Sequence, residues 1–175
     1  YSDKGKDPQD HGYSHTKLDC FESFKGALPR EYHTHVVLDN CEEDSADYFY
    51  KQDNVTVHRT NLGNSGSAMH TMRLALEYFP DEDYYFAEDD YLYSDLGHPN
   101  IVSILSEGLE LANYCSLYDH GDKYSNYNSM PNPIMGGQLG EFTEVFRSKS
   151  THWKLTNSTT MTFAVRGDTL KQDID

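Results

Sequence analysis

The chain has 175 residues, enough for one domain with a substantial core. Its apolar fraction is low at 37%, but 14 tyrosines help to compensate, since each packs a ring while hydrogen-bonding through its hydroxyl. A net charge of -15 argues against nucleic acid or an anionic membrane as main partner, because phosphate surfaces call for Lys and Arg.

The polar segment Tyr1–Tyr13 reads as a loop, and Thr16–Leu28 as a short amphipathic helix carrying Leu18, Phe21, Phe24 and Leu28. His35–Leu38 is a buried β-branched strand that ends at Asp39 and Asn40, and Val55–His58 is a second strand. The loop Asn61-Leu62-Gly63-Asn64-Ser65-Gly66 follows, and then a helix over Ser67–Phe79 with Met72, Leu76 and Phe79 on one face. Ser67 is the expected N-cap of that helix. Tyr84–Ala87 is a strand that stops at Glu88-Asp89-Asp90, and Ile101–Ala112 repeats the helical spacing. Cys115–Tyr118 is another strand, a polar loop runs to about Gly140, Met161–Val165 is a late strand, and Asp168 is placed to cap a final helix. Strands alternating with helices predict one α/β domain over residues 1–175, with a mostly parallel mixed sheet flanked by helices.

The three cysteines, Cys20, Cys41 and Cys115, are widely spaced and read as reduced thiols rather than zinc ligands or a disulfide framework. No apolar stretch reaches the ~20 residues that a membrane span needs, and no signal peptide is visible. The cytoplasm is therefore the default location.

The strongest chemical signal is Tyr84-Tyr85-Phe86-Ala87-Glu88-Asp89-Asp90, an aromatic strand that runs into three consecutive carboxylates. Strand carboxyl ends in open α/β sheets face the ligand crevice. Adjacent carboxylates repel unless a cation or solvent relieves them, and hard oxygen ligands suit Mg²⁺ or Mn²⁺ with substrate phosphates. Read alone, the triplet is equally a solvated acidic turn. Asn61–Ser67, leading into a helix, can accept an anionic or polyol ligand near the backbone or serve as an ordinary turn. Asp119 and Asp122 are candidate general bases for an acceptor hydroxyl, with His120 as a donor; the alternative is a polar turn. His152 is a candidate for metal or diphosphate, Lys154 for offsetting phosphate charge, and Trp153 for stacking on a sugar or for packing in the core.

Taken in order, these elements resemble the GT-A glycosyltransferases, especially small family 2-like enzymes, from about His35 to Val165. The resemblance implies a nucleotide-sugar donor (a UDP- or GDP-sugar), a carbohydrate or other hydroxyl acceptor, and Mn²⁺ or Mg²⁺. It implies that Asp39 and Asn40 hold the nucleotide's base or ribose, with Asn61, Asn64, Ser65 and Asp89 completing the nucleotide site. Glu88-Asp89-Asp90 resembles the acidic "DxD" element, with Asp90 as its direct metal ligand, Glu88 where Asp is usual, and His152 completing the metal site. The strand that opens such a fold is expected before Tyr1, and the last helix stops abruptly at Asp175, so a fragment is expected. Whether transfer inverts or retains configuration stays open. The competing readings are a sugar nucleotidyltransferase, which usually opens with a Gly-rich phosphate loop, and a non-catalytic divalent-cation or carbohydrate-binding module.

Overall fold

A computed structural model describes residues 1–4, 7–94, 100–118, 144–156 and 159–174. After a 3-10 turn at Pro8–His11, helix α1 spans Lys17–Ala27. It is opened by a capping box in which the Thr16 hydroxyl takes the Asp19 amide and the Asp19 carboxylate takes the Thr16 amide. Strand β1 (Thr34–Asp39), helix α2 (Glu43–Tyr50), strand β2 (Val55–Thr60) and helix α3 (Gly63–Tyr78) form the first half. The second half holds β3 (Tyr84–Phe86), α4 (Ile101–Leu109), β4 (Tyr114–Cys115), β5 (Val145–Arg147), β6 (His152–Lys154), β7 (Phe163–Val165) and α5 (Gly167–Asp173).

The fold is mixed α/β with small sheets. β1 and β2 pair in parallel, with Thr34 opposite Val55 and Asp39 opposite Thr60. β7 lies between β3 and β4 and runs antiparallel to both. β5 and β6 form a separate antiparallel pair. The predicted mostly parallel sheet is thus corrected: among the described residues one strand pair is parallel and the other ladders are antiparallel. β3 and β4 nevertheless point the same way, because each opposes β7.

Helices cover both faces. Val36 and Leu38 of β1 pack against Cys41, Ala46 and Phe49, with Phe21 of α1 alongside. On the other side α3 places Met72, Ala75 and Leu76 against Tyr84, Phe86, Phe163 and Val165. Ala164 and Cys115 turn from that face toward Leu105 and Leu109 of α4, where Trp153 also packs. Gly108 is what admits the indole: a Cβ there would lie 2.8 Å from both Trp153 Cη2 and Cys115 Sγ.

Two expectations about α3 are corrected. The helix begins at Gly63, four residues before the predicted start, and Ser67 sits inside it with its hydroxyl donating to the Asn64 carbonyl at 3.0 Å. Ser67 is not its cap. Helix α2 and the β5–β6 pair were not predicted.

A histidine pair sits across β1 and β2. His35 Nδ1 and His58 Nε2 are 3.0 Å apart, and the rings stack at 5.2 Å. One ring must donate and the other accept, so a second proton breaks the bond. Desolvation, then neighbouring histidines, lowers both pKa values: His58 and His33 act on His35, and His70 acts on His58. With the folded values below the ordinary ~6.5, the pair's contribution is complete above that pH and is lost as pH falls through the lowered values. Thermal melts between pH 7.5 and 5.5 should show stability falling in acid, and His58→Gln should flatten that slope. Equal slopes in the two proteins would contradict this account.

Candidate functional site

The carboxyl ends of β1 and β3 are joined by the first residues of the chain. The Tyr1 α-amino group donates to the Val37 carbonyl and the Asp39 amide donates to the Tyr1 carbonyl, both at 2.9 Å. One residue on, the Ser2 amide donates to Asp89 Oδ2 at 3.0 Å. Asp39 and Asp89, 50 positions apart, therefore flank one short backbone segment at the same edge.

Asp39 is 5% exposed and engages both oxygens. Oδ1 accepts from Thr60 Oγ1 at 2.8 Å and the Leu62 amide at 2.7 Å. Oδ2 accepts from Asn40 Nδ2 at 2.6 Å and the Gly63 amide at 3.0 Å. Burial alone would raise its pKa, but these four bonds outweigh burial and hold it below the usual carboxylate value. A carboxylate on the first amides of α3 satisfies donors that a helix start leaves open and meets the positive end of its dipole. Asp39 is thus the cap of α3, supplied from a distant strand. Asn40 turns the chain out of β1 in the left-handed region, at φ 56°, and its side-chain oxygen accepts from Lys4 Nζ at 3.1 Å.

The acidic triplet divides by environment. Asp89 pairs with Lys17 at 3.0 Å, and Lys17, itself 5% exposed, also donates to the Ser2 carbonyl at 2.8 Å. The ammonium lies 5.7 Å from the centre of the Tyr1 ring. Among the described residues Glu88 and Asp90 form no ion pair. Desolvation raises the pKa of both; Asp90 and Asp89 add to the shift at Glu88, and Asp89 adds to it at Asp90. The Glu88 amide donates to Thr162 Oγ1 at 3.0 Å, and the Thr162 carbonyl accepts from Ser116 Oγ at 2.8 Å. The ends of β3 and β4 and the start of β7 are thereby stitched together. Tyr91 packs edge-on against Tyr118 at 4.9 Å beside this junction.

Comparisons with known families, with curated proteins and with solved structures find no match.

Tyr1 and Ser2 link Asp39 to Asp89, and Asn40, Glu88 and Asp90 are their neighbours in sequence. Asn61, Asn64 and Ser65 are exposed at the start of α3, next to the amides that Asp39 caps. His152 is exposed on β6 opposite Arg147, and Trp153 is packed on Gly108 of α4. Among the described residues no three His, Cys, Asp or Glu side chains form a group able to hold a metal ion. Asp119, His120 and Asp122 lie outside the described residues, just beyond Tyr118. Lys17 is the site residue that sequence reasoning missed; a lysine in the first turn of a helix reads as solvated. No described helix is long and apolar enough to cross a membrane.

Because Asp39 closes β1 onto α3, Asp39→Ala should cost about 2–4 kcal/mol, from the loss of charge-assisted bonds and the exposure of unpaired donors. That corresponds to a melting temperature lower by about 5–10 °C. With a folded pKa below the ordinary value, the stability from ionised Asp39 is present above about pH 4 and is lost as pH falls through the lowered value. Melts of wild type and Asp39→Ala at pH 7 and pH 3 should therefore converge in acid. A variant as stable as wild type at pH 7 would show that the cap is dispensable.

Proposed function

We propose that this chain is a metal-dependent glycosyltransferase domain that takes a nucleotide-diphosphate sugar and transfers the sugar to an acceptor hydroxyl. The observation that carries this reading is the partition of the triplet. Lys17 compensates Asp89, while Glu88 and Asp90 keep close like charges at the junction of three strand ends. Two hard carboxylates with raised pKa suit a divalent cation shared with substrate phosphates, the usual way such an ion is held without a full protein cage. The donor set fits Mn²⁺ or Mg²⁺ on Glu88 and Asp90, with substrate oxygens supplying further ligands in place of the expected His152.

When bound, the cation would supply neutralisation of the diphosphate as it leaves. The chain's own residues do the positioning. Asp39 anchors the start of α3, where Asn61, Asn64 and Ser65 offer polar side chains to a nucleotide. Asp89, fixed by Lys17 and Ser2, keeps the turn that carries Glu88 and Asp90 in place. Tyr91 and Tyr118 offer an aromatic corner beside it for a sugar ring or an acceptor. Asp119 or Asp122 would take the acceptor's proton if configuration inverts.

Asp90→Asn keeps shape and a hydrogen-bonding oxygen but removes a charge. It should abolish Mn²⁺-dependent donor hydrolysis and transfer, and leave the metal-free melting temperature unchanged or raised, since it relieves repulsion. Asp89→Asn should instead destabilise the fold, because it leaves the buried Lys17 ammonium without its partner. Turnover is measured with UDP- and GDP-sugars, and melting without metal. Wild-type turnover in Asp90→Asn would remove the triplet from the mechanism; nucleotide binding without hydrolysis or transfer in wild type would favour the binding-module reading.

A further inference from the structure

Four of the nine histidines gather around the β1–β2 ladder, and the proposed reaction uses none of them. The parallel register sets His58 opposite Val37, two residues beyond the rung where His35 meets Thr56. Both imidazoles therefore leave the same face of the ladder. Their facing nitrogens, Nδ1 of His35 and Nε2 of His58, are 3.0 Å apart. The His33 ring lies 5.3 Å from that of His35, and His70 on α3 is near enough for its charge to act on His58. Tyr78 and Phe79, at the end of α3, meet the His35 ring edge-on at 5.4 and 5.2 Å. His35 and His58 are only half-buried, so a small solute can reach them.

We propose that His35 and His58 form a transition-metal site that takes Ni²⁺ or Cu²⁺ across the two strands. Imidazole suits such ions and not Mg²⁺, which wants oxygen. The spacing narrows the choice further. With metal–imidazole bonds of about 2.0–2.1 Å, two nitrogens stand ~2.9 Å apart at a right angle and ~3.4 Å apart at a tetrahedral angle. The observed 3.0 Å matches neighbouring corners of a square plane or octahedron, which favours Cu²⁺ or Ni²⁺ over Zn²⁺. The described residues form no three-ligand group, so the pair supplies two ligands and solvent the remaining positions. Desolvation and the neighbouring histidines lower both pKa values, which keeps the rings in the neutral form that ligation requires. On binding, the proton shared between the rings moves to the outer nitrogen of the ring that carries it, and each facing lone pair goes to the ion. Each ring turns slightly about χ2, a soft torsion. The ion would cross-link β1 to β2, and the site stands apart from the cation proposed at Glu88 and Asp90.

The test titrates the full chain with Ni²⁺ at pH 7.5 in excess Mg²⁺, by calorimetry and by thermal melts. Wild type and Asp90→Asn should bind Ni²⁺ alike, and His58→Gln and His35→Gln should each bind about tenfold more weakly or worse, since even the loss of an outer partner of a metal ligand costs that much. At a hundredfold excess over its dissociation constant, Ni²⁺ should raise the wild-type melting temperature by about 5 °C or more. A readout on the wild type alone guards against a variant that fails to fold: paramagnetic Ni²⁺ should broaden the ring proton resonances of His35 and His58 before those of His11, His15 and His152. Equal Ni²⁺ affinity in wild type and the two histidine variants would overturn the proposal. Displacement of Ni²⁺ by excess Mg²⁺, loss of binding in Asp90→Asn, or broadening that begins at His152 would also overturn it, by placing the ion elsewhere.

Discussion

Three adjacent carboxylates at the end of β3 must be kept from driving the turn apart, and the ion pair between Asp89 and Lys17 resolves one of the three charges internally. A lysine ammonium almost removed from solvent is costly unless a carboxylate and further acceptors meet it. Lys17 has both, in Asp89 and the Ser2 carbonyl. That pair ties the N-terminal segment and α1 to the end of β3, and Tyr1 ties the same segment to β1. The edge where strand ends converge therefore depends on one buried charge pair between residues 72 positions apart. What remains is the charge on Glu88 and Asp90, and the functional reading grows from that remainder.

Asp39 shows how one strand end serves both architecture and site. Four bonds make it an anchor for α3, so its carboxylate has little capacity left for a ligand. Under the proposed function its effect on a nucleotide would be indirect: it sets where α3 begins and which polar side chains the loop from Asn61 presents. Asp90, exposed and raised in pKa, is the opposite case. Stability is concentrated in the first carboxylate and unresolved charge in the last, the usual separation between groups that hold a site and groups that work in it.

Much of this was legible in the sequence because it was local. The apolar spacing from Leu18 to Leu28 located α1, the run Val36-Val37-Leu38 located β1, and the aromatic strand before Glu88 located β3. The misreadings were all non-local. Helix α3 starts early because its cap comes from Asp39 rather than from an adjacent Ser. Helix α2 turns Ala46 and Phe49 inward within an otherwise polar segment, too little for a periodic signal. The antiparallel entry of β7 between β3 and β4 is topology, which alternation of elements does not encode. Lys17 gained its role from a partner far along the chain.

Glu88 and Asp90 are proposed to hold a divalent cation for a nucleotide diphosphate. Calorimetric titration of the wild-type protein with UDP and with GDP, in Mn²⁺ and then in EDTA, tests it most directly. Binding of at least one nucleotide in Mn²⁺ that disappears in EDTA is the predicted result, since a protein of net charge -15 otherwise repels the diphosphate. Equal affinity in the two conditions, or no binding of either nucleotide in Mn²⁺, would contradict it.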